Sequence, residues 1–211
     1  MELGFVHRFI PSDTWPPPMT LLLLHGTGGD ENDLLQIGRE LSPSAALLSP
    51  RGRVLENGMP RFFRRIAEGV FDLEDLVFRT HELADFVEAA SRAYGFDTRR
   101  LIAVGYSNGA NVASSLLFLR PKLLAGAILF RPMIPFTPEM MPDLSGVRVL
   151  ILGGSRDQIV PREQTRLLFE LLQRCHADAT LHWEESGTHA IADAEVRFAR
   201  EWLSELPRFQ K

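Results

Sequence analysis

The sequence predicts an α/β fold, with a mostly parallel central sheet and helices on both faces. Two observations carry this. Short apolar runs alternate with longer amphipathic ones along the chain. Several of the short runs are apolar almost throughout, as strands covered on both sides are, rather than alternating apolar and polar.

Taken in order, strands are expected at Phe5–Ile10, Thr20–Leu24, Ala45–Leu48, Leu101–Tyr106, Leu124–Phe130, Val147–Gly153 and Ala179–Glu184. Helices fill the intervals. Leu73, Leu76, Val77, Leu83, Val87, Ala90 and Tyr94 share one stripe, which Gly95 ends. Leu167, Leu168, Leu171, Leu172 and Cys175 make a second stripe. Ile191, Ala194, Phe198, Trp202 and Leu206 make a third, stopped by Pro207. Trp15-Pro16-Pro17-Pro18 reads as a stiff hairpin connection between the first two strands. Residues Arg51 to Asp72 break the rhythm with glycines, arginines and phenylalanines, and read as a long loop over the carboxyl edge of the sheet.

The 211 residues fit one domain, 1–211, large enough for a core without disulfides. A hydrophobic fraction of 45% with 24% charged residues is ordinary for a globular protein. The net charge of −4 argues against general nucleic-acid binding. The single cysteine, Cys175, excludes an internal disulfide and a multi-cysteine metal site, and its apolar stripe makes it a core residue. No run approaches membrane-spanning length and no signal-peptide pattern opens the chain, so a cytoplasmic protein without membrane insertion is expected. A homodimer is allowed by the sequence but not specified by it.

The expected strand Leu101–Tyr106 runs into Gly105-Tyr106-Ser107-Asn108-Gly109, a G-x-S-x-G pentapeptide opening a helix. In that setting the serine sits on a sharp turn with its hydroxyl exposed, and the glycines let strand and helix approach. A serine hydroxyl needs a base, and the base needs an orienting acid. Ligand sites of open parallel sheets lie beyond the carboxyl ends of the strands. At that edge stand Asp157, in Gly154-Ser155-Arg156-Asp157, and His189, in Gly187-Thr188-His189. Either alone could be a turn or capping residue. Together they follow the order Ser107, Asp157, His189 at successive strand ends. Glu184, Glu185 and Asp178 are rival acids, the first two crowding His189 in sequence and the third lying at the opposite edge.

An oxyanion requires two donors. The backbone N–H of Asn108, at the helix start, is one. The other is assigned to Thr27, in the loop His25-Gly26-Thr27-Gly28-Gly29-Asp30 after the second strand. Asp30 could also cap a following helix. His25 is read as a loop-holding residue. His7, His81, His176 and His182 lack metal-ligand spacing, so neither metal nor cofactor is expected.

With these motifs in view, the chain resembles the phospholipase/carboxylesterase family of α/β-hydrolases, which includes acyl-protein thioesterases. It is similar to a bacterial carboxylesterase branch linked to hydroquinone and quinone resistance, through His25–Leu34 and Leu55–Phe63. The resemblance spans nearly the whole chain. It implies a nearly lidless serine carboxylesterase acting on small esters, with Ser107, Asp157 and His189 as triad and the Thr27 and Asn108 amides holding the oxyanion. Thioesterase or lysophospholipase activity is the alternative; a non-catalytic scaffold is disfavoured by the intact trio. The related dienelactone hydrolases carry cysteine where Ser107 stands. The Arg51–Asp72 excursion is the expected substrate wall. Met59, Phe62, Phe63 and Phe71 would offer an apolar surface, and Arg61, Arg64 and Arg65 could meet a carboxylate. On composition alone, the phenylalanines could equally be core and the arginines solvated.

Overall fold

The structure, a computed structural model, describes residues 3–205. A seven-stranded sheet runs in the order β1-β3-β2-β8-β9-β10-β11. Its strands are β1 (His7–Ile10), β2 (Thr20–Leu24), β3 (Ala46–Pro50), β8 (Leu101–Tyr106), β9 (Gly126–Phe130), β10 (Arg148–Gly154) and β11 (Asp178–Glu184). All neighbours are parallel except β1, which pairs antiparallel with β3. This is the α/β-hydrolase architecture that the motifs imply.

All five residues of β2 and of β9 are buried, which explains their unbroken apolar character. Successive residues feed opposite layers. Leu22, Leu24 and Ala103 join a core with α2 (Leu73–Tyr94), α3 (Asn108–Leu119) and α4 (Arg162–Arg174). Leu21, Leu23, Ile102 and Val104 join a second core with α1 (Leu35–Leu41) and α5 (Asp193–Ser204). Leu206 and Pro207, expected to close the last stripe, lie outside the described residues.

The Trp15–Pro18 segment is not the hairpin that the sequence suggests, because β1 pairs with β3 rather than β2. The physical reason is aromatic packing on α2. Phe5 lies 4.8 Å from Phe86 and Phe9 stacks on Tyr94 at 4.1 Å between ring centroids. That packing suits an edge strand, whereas the wholly apolar β2 belongs in the middle.

The Arg51–Asp72 excursion is not an irregular loop. It folds into two small hairpins, β4 (Val54–Glu56) with β5 (Met59–Arg61) and β6 (Arg65–Ala67) with β7 (Val70–Phe71). Asn57 and Gly58 both take positive φ, 52° and 81°, at the first turn. Asn-Gly suits such a mirror-image turn, whose twist matches that of the flanking strands. The excursion is tied to the sheet edge by Gly28 N–H donating to the Pro60 carbonyl and Phe62 N–H donating to Asn108 Oδ1.

Candidate active site

Strand β8 delivers Ser107 at the turn into α3 with φ 52° and ψ −112°, a region that side-chain-bearing residues rarely occupy. Neighbouring residues impose it. Ser107 N–H donates to the Phe130 carbonyl at 2.9 Å, and the Ser107 carbonyl accepts Asn111 N–H at 3.0 Å. The flanking glycines have steric causes. A Cβ on Gly105 would lie 2.6 Å from the Ala110 Cα, and one on Gly109 would run into the Leu24 carbonyl.

The structure brings Ser107, His189 and Asp157 together. His189 Nε2 is 3.0 Å from Ser107 Oγ, and His189 Nδ1 is 2.9 Å from Asp157 Oδ2. A carboxylate facing Nδ1 keeps the ring proton there, which leaves Nε2 to accept the Ser107 hydroxyl. The Asp157 side chain is 1% exposed and that of His189 19%, so the imidazole faces the cleft and the carboxylate stands behind it. Asp157 Oδ1 also accepts the N–H groups of Ile159 and Val160. One carboxylate oxygen thus serves the turn and the other the imidazole. Of the rival acids, Asp178 pairs with Arg148 at the far edge, and Glu184 accepts the Ser186 hydroxyl.

Thr27 and Asn108 line the same cleft as Ser107. Neither backbone N–H donates to an acceptor among the described residues. For Asn108 this follows from its place at the start of α3. His25 does hold the Thr27 loop: Gly52 N–H donates to its Nε2 and its Nδ1 donates to the Gly26 carbonyl. Burial pulls His25 below the usual histidine range, the Gly26 carbonyl opposing, and the neutral ring is the form that can accept from Gly52. Asp30 does not cap α1, which begins five residues later; it closes a local turn by accepting Asn32 N–H.

The expected apolar wall needs correction. Phe71 lines the cleft. Phe62 and Phe63 are 3% and 0% exposed and pack in the core, Phe62 against His25 and Phe63 against Phe71. Met59 lies over Gly28 at the rim rather than in the cleft. Phe62 and Phe63 lie beyond β5, outside the strand's alternation, and both join the core that the sheet shares with α2 and α3. Arg64 points away, paired with Asp72. Arg61 and Arg65 line the cleft, both paired with Glu56. Arg61 Nη1 also donates to the Thr27 hydroxyl at 2.7 Å, bracing the loop that carries the unused amide.

Sequence reasoning missed Arg131, Tyr106, Asn111 and Met133. Arg131 follows β9 and hydrogen-bonds the segment bearing His189; Tyr106 donates to the His189 carbonyl. Asn111 and Met133 line the cleft and are joined by Met133 N–H donating to Asn111 Oδ1. The carboxyl-edge rule that selects Asp157 and His189 also selects Arg131 and Met133, each within a few residues of the end of β9.

Known proteins share this fold. Residues 6–206 match the family model described as Phospholipase/Carboxylesterase. The chain is 50% identical over 185 residues to MhqD of Bacillus subtilis (strain 168), covering 88% of this chain and 92% of that one. The crystal structure of the Bacillus cereus carboxylesterase superposes with a TM-score of 0.90 at 46% identity, covering 94% of this chain and 92% of that one. A carboxylesterase from Mesorhizobium loti gives a TM-score of 0.86 at 32% identity over 92% of this chain and 90% of that one.

Proposed function

Since this chain belongs to the phospholipase/carboxylesterase family of α/β-hydrolases, we propose that it is a serine carboxylesterase that hydrolyses small esters through an acyl-Ser107 intermediate. The observation that supports it most is the continuous line Ser107 Oγ, His189 Nε2, His189 Nδ1, Asp157 Oδ2, with bonds of 3.0 and 2.9 Å. In this reading Ser107 Oγ attacks the ester carbonyl carbon while its proton passes to His189 Nε2. The carbonyl oxygen, now an oxyanion, is met by the Thr27 and Asn108 amides. Asp157 stabilises the imidazolium without taking its proton. Collapse of the tetrahedral adduct breaks the bond to the alcohol, which leaves with the proton from His189. Water then gives its proton to His189, attacks the acyl carbon and releases the acid, and Ser107 recovers its proton.

In this reading the acyl group is short. The cleft volume beside Ser107 is about 50 Å³, bounded by Phe71, Met133 and Val160. A water needs roughly 10–15 Å³ of such space, so a group of a few heavy atoms fills it. A thioesterase or lysophospholipase of long chains would need a longer apolar groove. The test is an ester panel of increasing acyl length, with Ser107→Ala as control. Activity highest on acetyl and propionyl esters, and absent in the variant, supports the proposal. Turnover undiminished in Ser107→Ala refutes it.

A further inference from the structure

His189 lies on a stretch without regular structure between β11 and α5. Its ring must nevertheless stand within hydrogen-bond reach of two groups. Two side chains grip the backbone of this stretch. Arg131 Nε donates to the Thr188 carbonyl at 2.5 Å, the Tyr106 hydroxyl to the His189 carbonyl at 3.2 Å, and Arg131 Nη2 to the Ala190 carbonyl at 2.8 Å. Three consecutive carbonyls are thereby held.

Arg131 has no donor to spare. Its Nη1 serves the Leu152 carbonyl at 3.2 Å and Glu195 Oε1 at 2.5 Å, and its Nη2 also serves Glu195 Oε2 at 2.7 Å. With the two carbonyls above, this accounts for all five guanidinium N–H groups. Leu152 belongs to β10, and Glu195, in the first turn of α5, also accepts Ala192 N–H. The His189 stretch is thus bound to β10 and to the start of α5. Burial raises the Tyr106 phenol above its usual range, so it keeps the proton it donates.

This arrangement is a poor choice for stability alone. The Arg131 and Glu195 side chains are both 0% exposed, and taking two charges out of water costs much of what their attraction returns. Apolar residues of similar volume generally fill such a space as well. Arg131 also holds a φ of 55°, uncommon for its residue type. What the fork supplies, and an apolar side chain cannot, is direction. Arg131 Nε stands 3.9 Å from Asp157 Oδ2, beyond hydrogen-bond length, so it does not hold that carboxylate directly.

We propose that Arg131, assisted by Tyr106, is a positioning residue that sets the His189 imidazole between Asp157 and Ser107. It touches neither substrate nor the reacting atoms and acts through the backbone of Thr188, His189 and Ala190. This rests on the reading of His189 as the catalytic base.

The test compares wild type with Arg131→Lys, Tyr106→Phe and the double variant. Active sites are titrated with a fluorophosphonate, so that kcat refers to folded enzyme only. Amide hydrogen exchange is followed over residues 187–192. Arg131→Lys keeps the charge but cannot span both carbonyls and Glu195. Its kcat on a short ester falls on the order of 100-fold, as small misplacements of reacting groups do, with KM unchanged and exchange of 187–192 faster. Tyr106→Phe gives a smaller loss in kcat, and the two losses are not additive. A lower melting temperature with kcat per titrated site and exchange both as in wild type would overturn the proposal. If Arg131→Lys does not fold, Tyr106→Phe decides: unchanged kcat and unchanged exchange overturn it. Should wild type itself neither hydrolyse esters nor react with the fluorophosphonate, the proposed esterase function fails. The exchange rates then still decide whether Arg131 holds the stretch.

Discussion

The carbonyl of Phe130 accepts the N–H of Ser107 at 2.9 Å, which ties the turn bearing the hydroxyl to the strand beside it. The next residue, Arg131, reaches the carbonyls around His189. One dipeptide at the end of β9 therefore braces the turns that carry Ser107 and His189. Because the backbone is held independently of the serine side chain, Ser107 keeps φ 52° at a cost. Such conformations cost about 1–3 kcal/mol for residues with a Cβ and much less for glycine. Ser107→Gly is expected to be more stable than Ser107→Ala by about that amount, with both inactive. Denaturant titration of the two variants measures the difference; equal midpoints would remove strain from the account.

Asp157 divides its oxygens between His189 and the N–H groups of Ile159 and Val160. Asp157→Asn leaves an oxygen for the turn but puts the wrong group behind the imidazole. Its kcat should fall on the order of 10⁴, as in a serine protease with the equivalent change, with little loss of stability. Asp157→Ala should lose both. A stable Asp157→Asn with wild-type kcat would mean that another group orients His189.

Phe63 and Phe71 separate core from cleft. Phe63 is fully buried, and Phe71 lines the cavity beside Ser107. Phe63→Ala is expected to lose about 3–5 kcal/mol of stability, the usual range for a buried phenylalanine. At a temperature where it is folded, its preference among acyl chain lengths should match wild type. Phe71→Ala should instead shift that preference toward longer chains. Parallel ester panels on the two variants check this, and a shift confined to Phe63→Ala would reverse the assignment.

His25 makes stability depend on pH. Burial holds it below the ordinary value of 6.5. As pH falls, the unfolded chain takes up this proton before the folded one does. The stabilisation is complete above 6.5 and is lost as pH drops through and below that value. The slope from one group is at most about 1.4 kcal/mol per pH unit. Unfolding free energies measured from neutral pH downward should fall for wild type and fall less steeply for His25→Asn. Identical slopes would remove His25 as the source.

Much of this was legible in the sequence because it is enforced locally. Leu21–Leu24 and Leu101–Val104 read as strands since both their faces are covered. The Gly105–Gly109 pentapeptide reads as a sharp turn since its glycines meet backbone at close range. Asp157 and His189 could be chosen because strand ends share one edge. The pairing of β1 with β3 depends on Phe5 and Phe9 finding Phe86 and Tyr94, contacts no local pattern encodes. The excursion reads as loop although Asn57-Gly58 is a strong hairpin signal, because three-residue strands show no periodicity. Composition offers Phe62 and Phe63 to cleft or core alike, because it does not say which way a side chain faces. The edge rule reaches Arg131, but a single arginine after an apolar strand is ordinary; only the fold brings Glu195 and the Thr188 and Ala190 carbonyls to it.

The central claim is that Ser107 Oγ is the nucleophile, and covalent capture reads it directly. Wild-type protein treated with a fluorophosphonate, digested and sequenced by mass spectrometry should carry one phosphonyl group on the peptide containing Ser107, with ester hydrolysis lost in proportion to labelling. Labelling at another residue, or full hydrolysis after Ser107 is modified, would contradict the account.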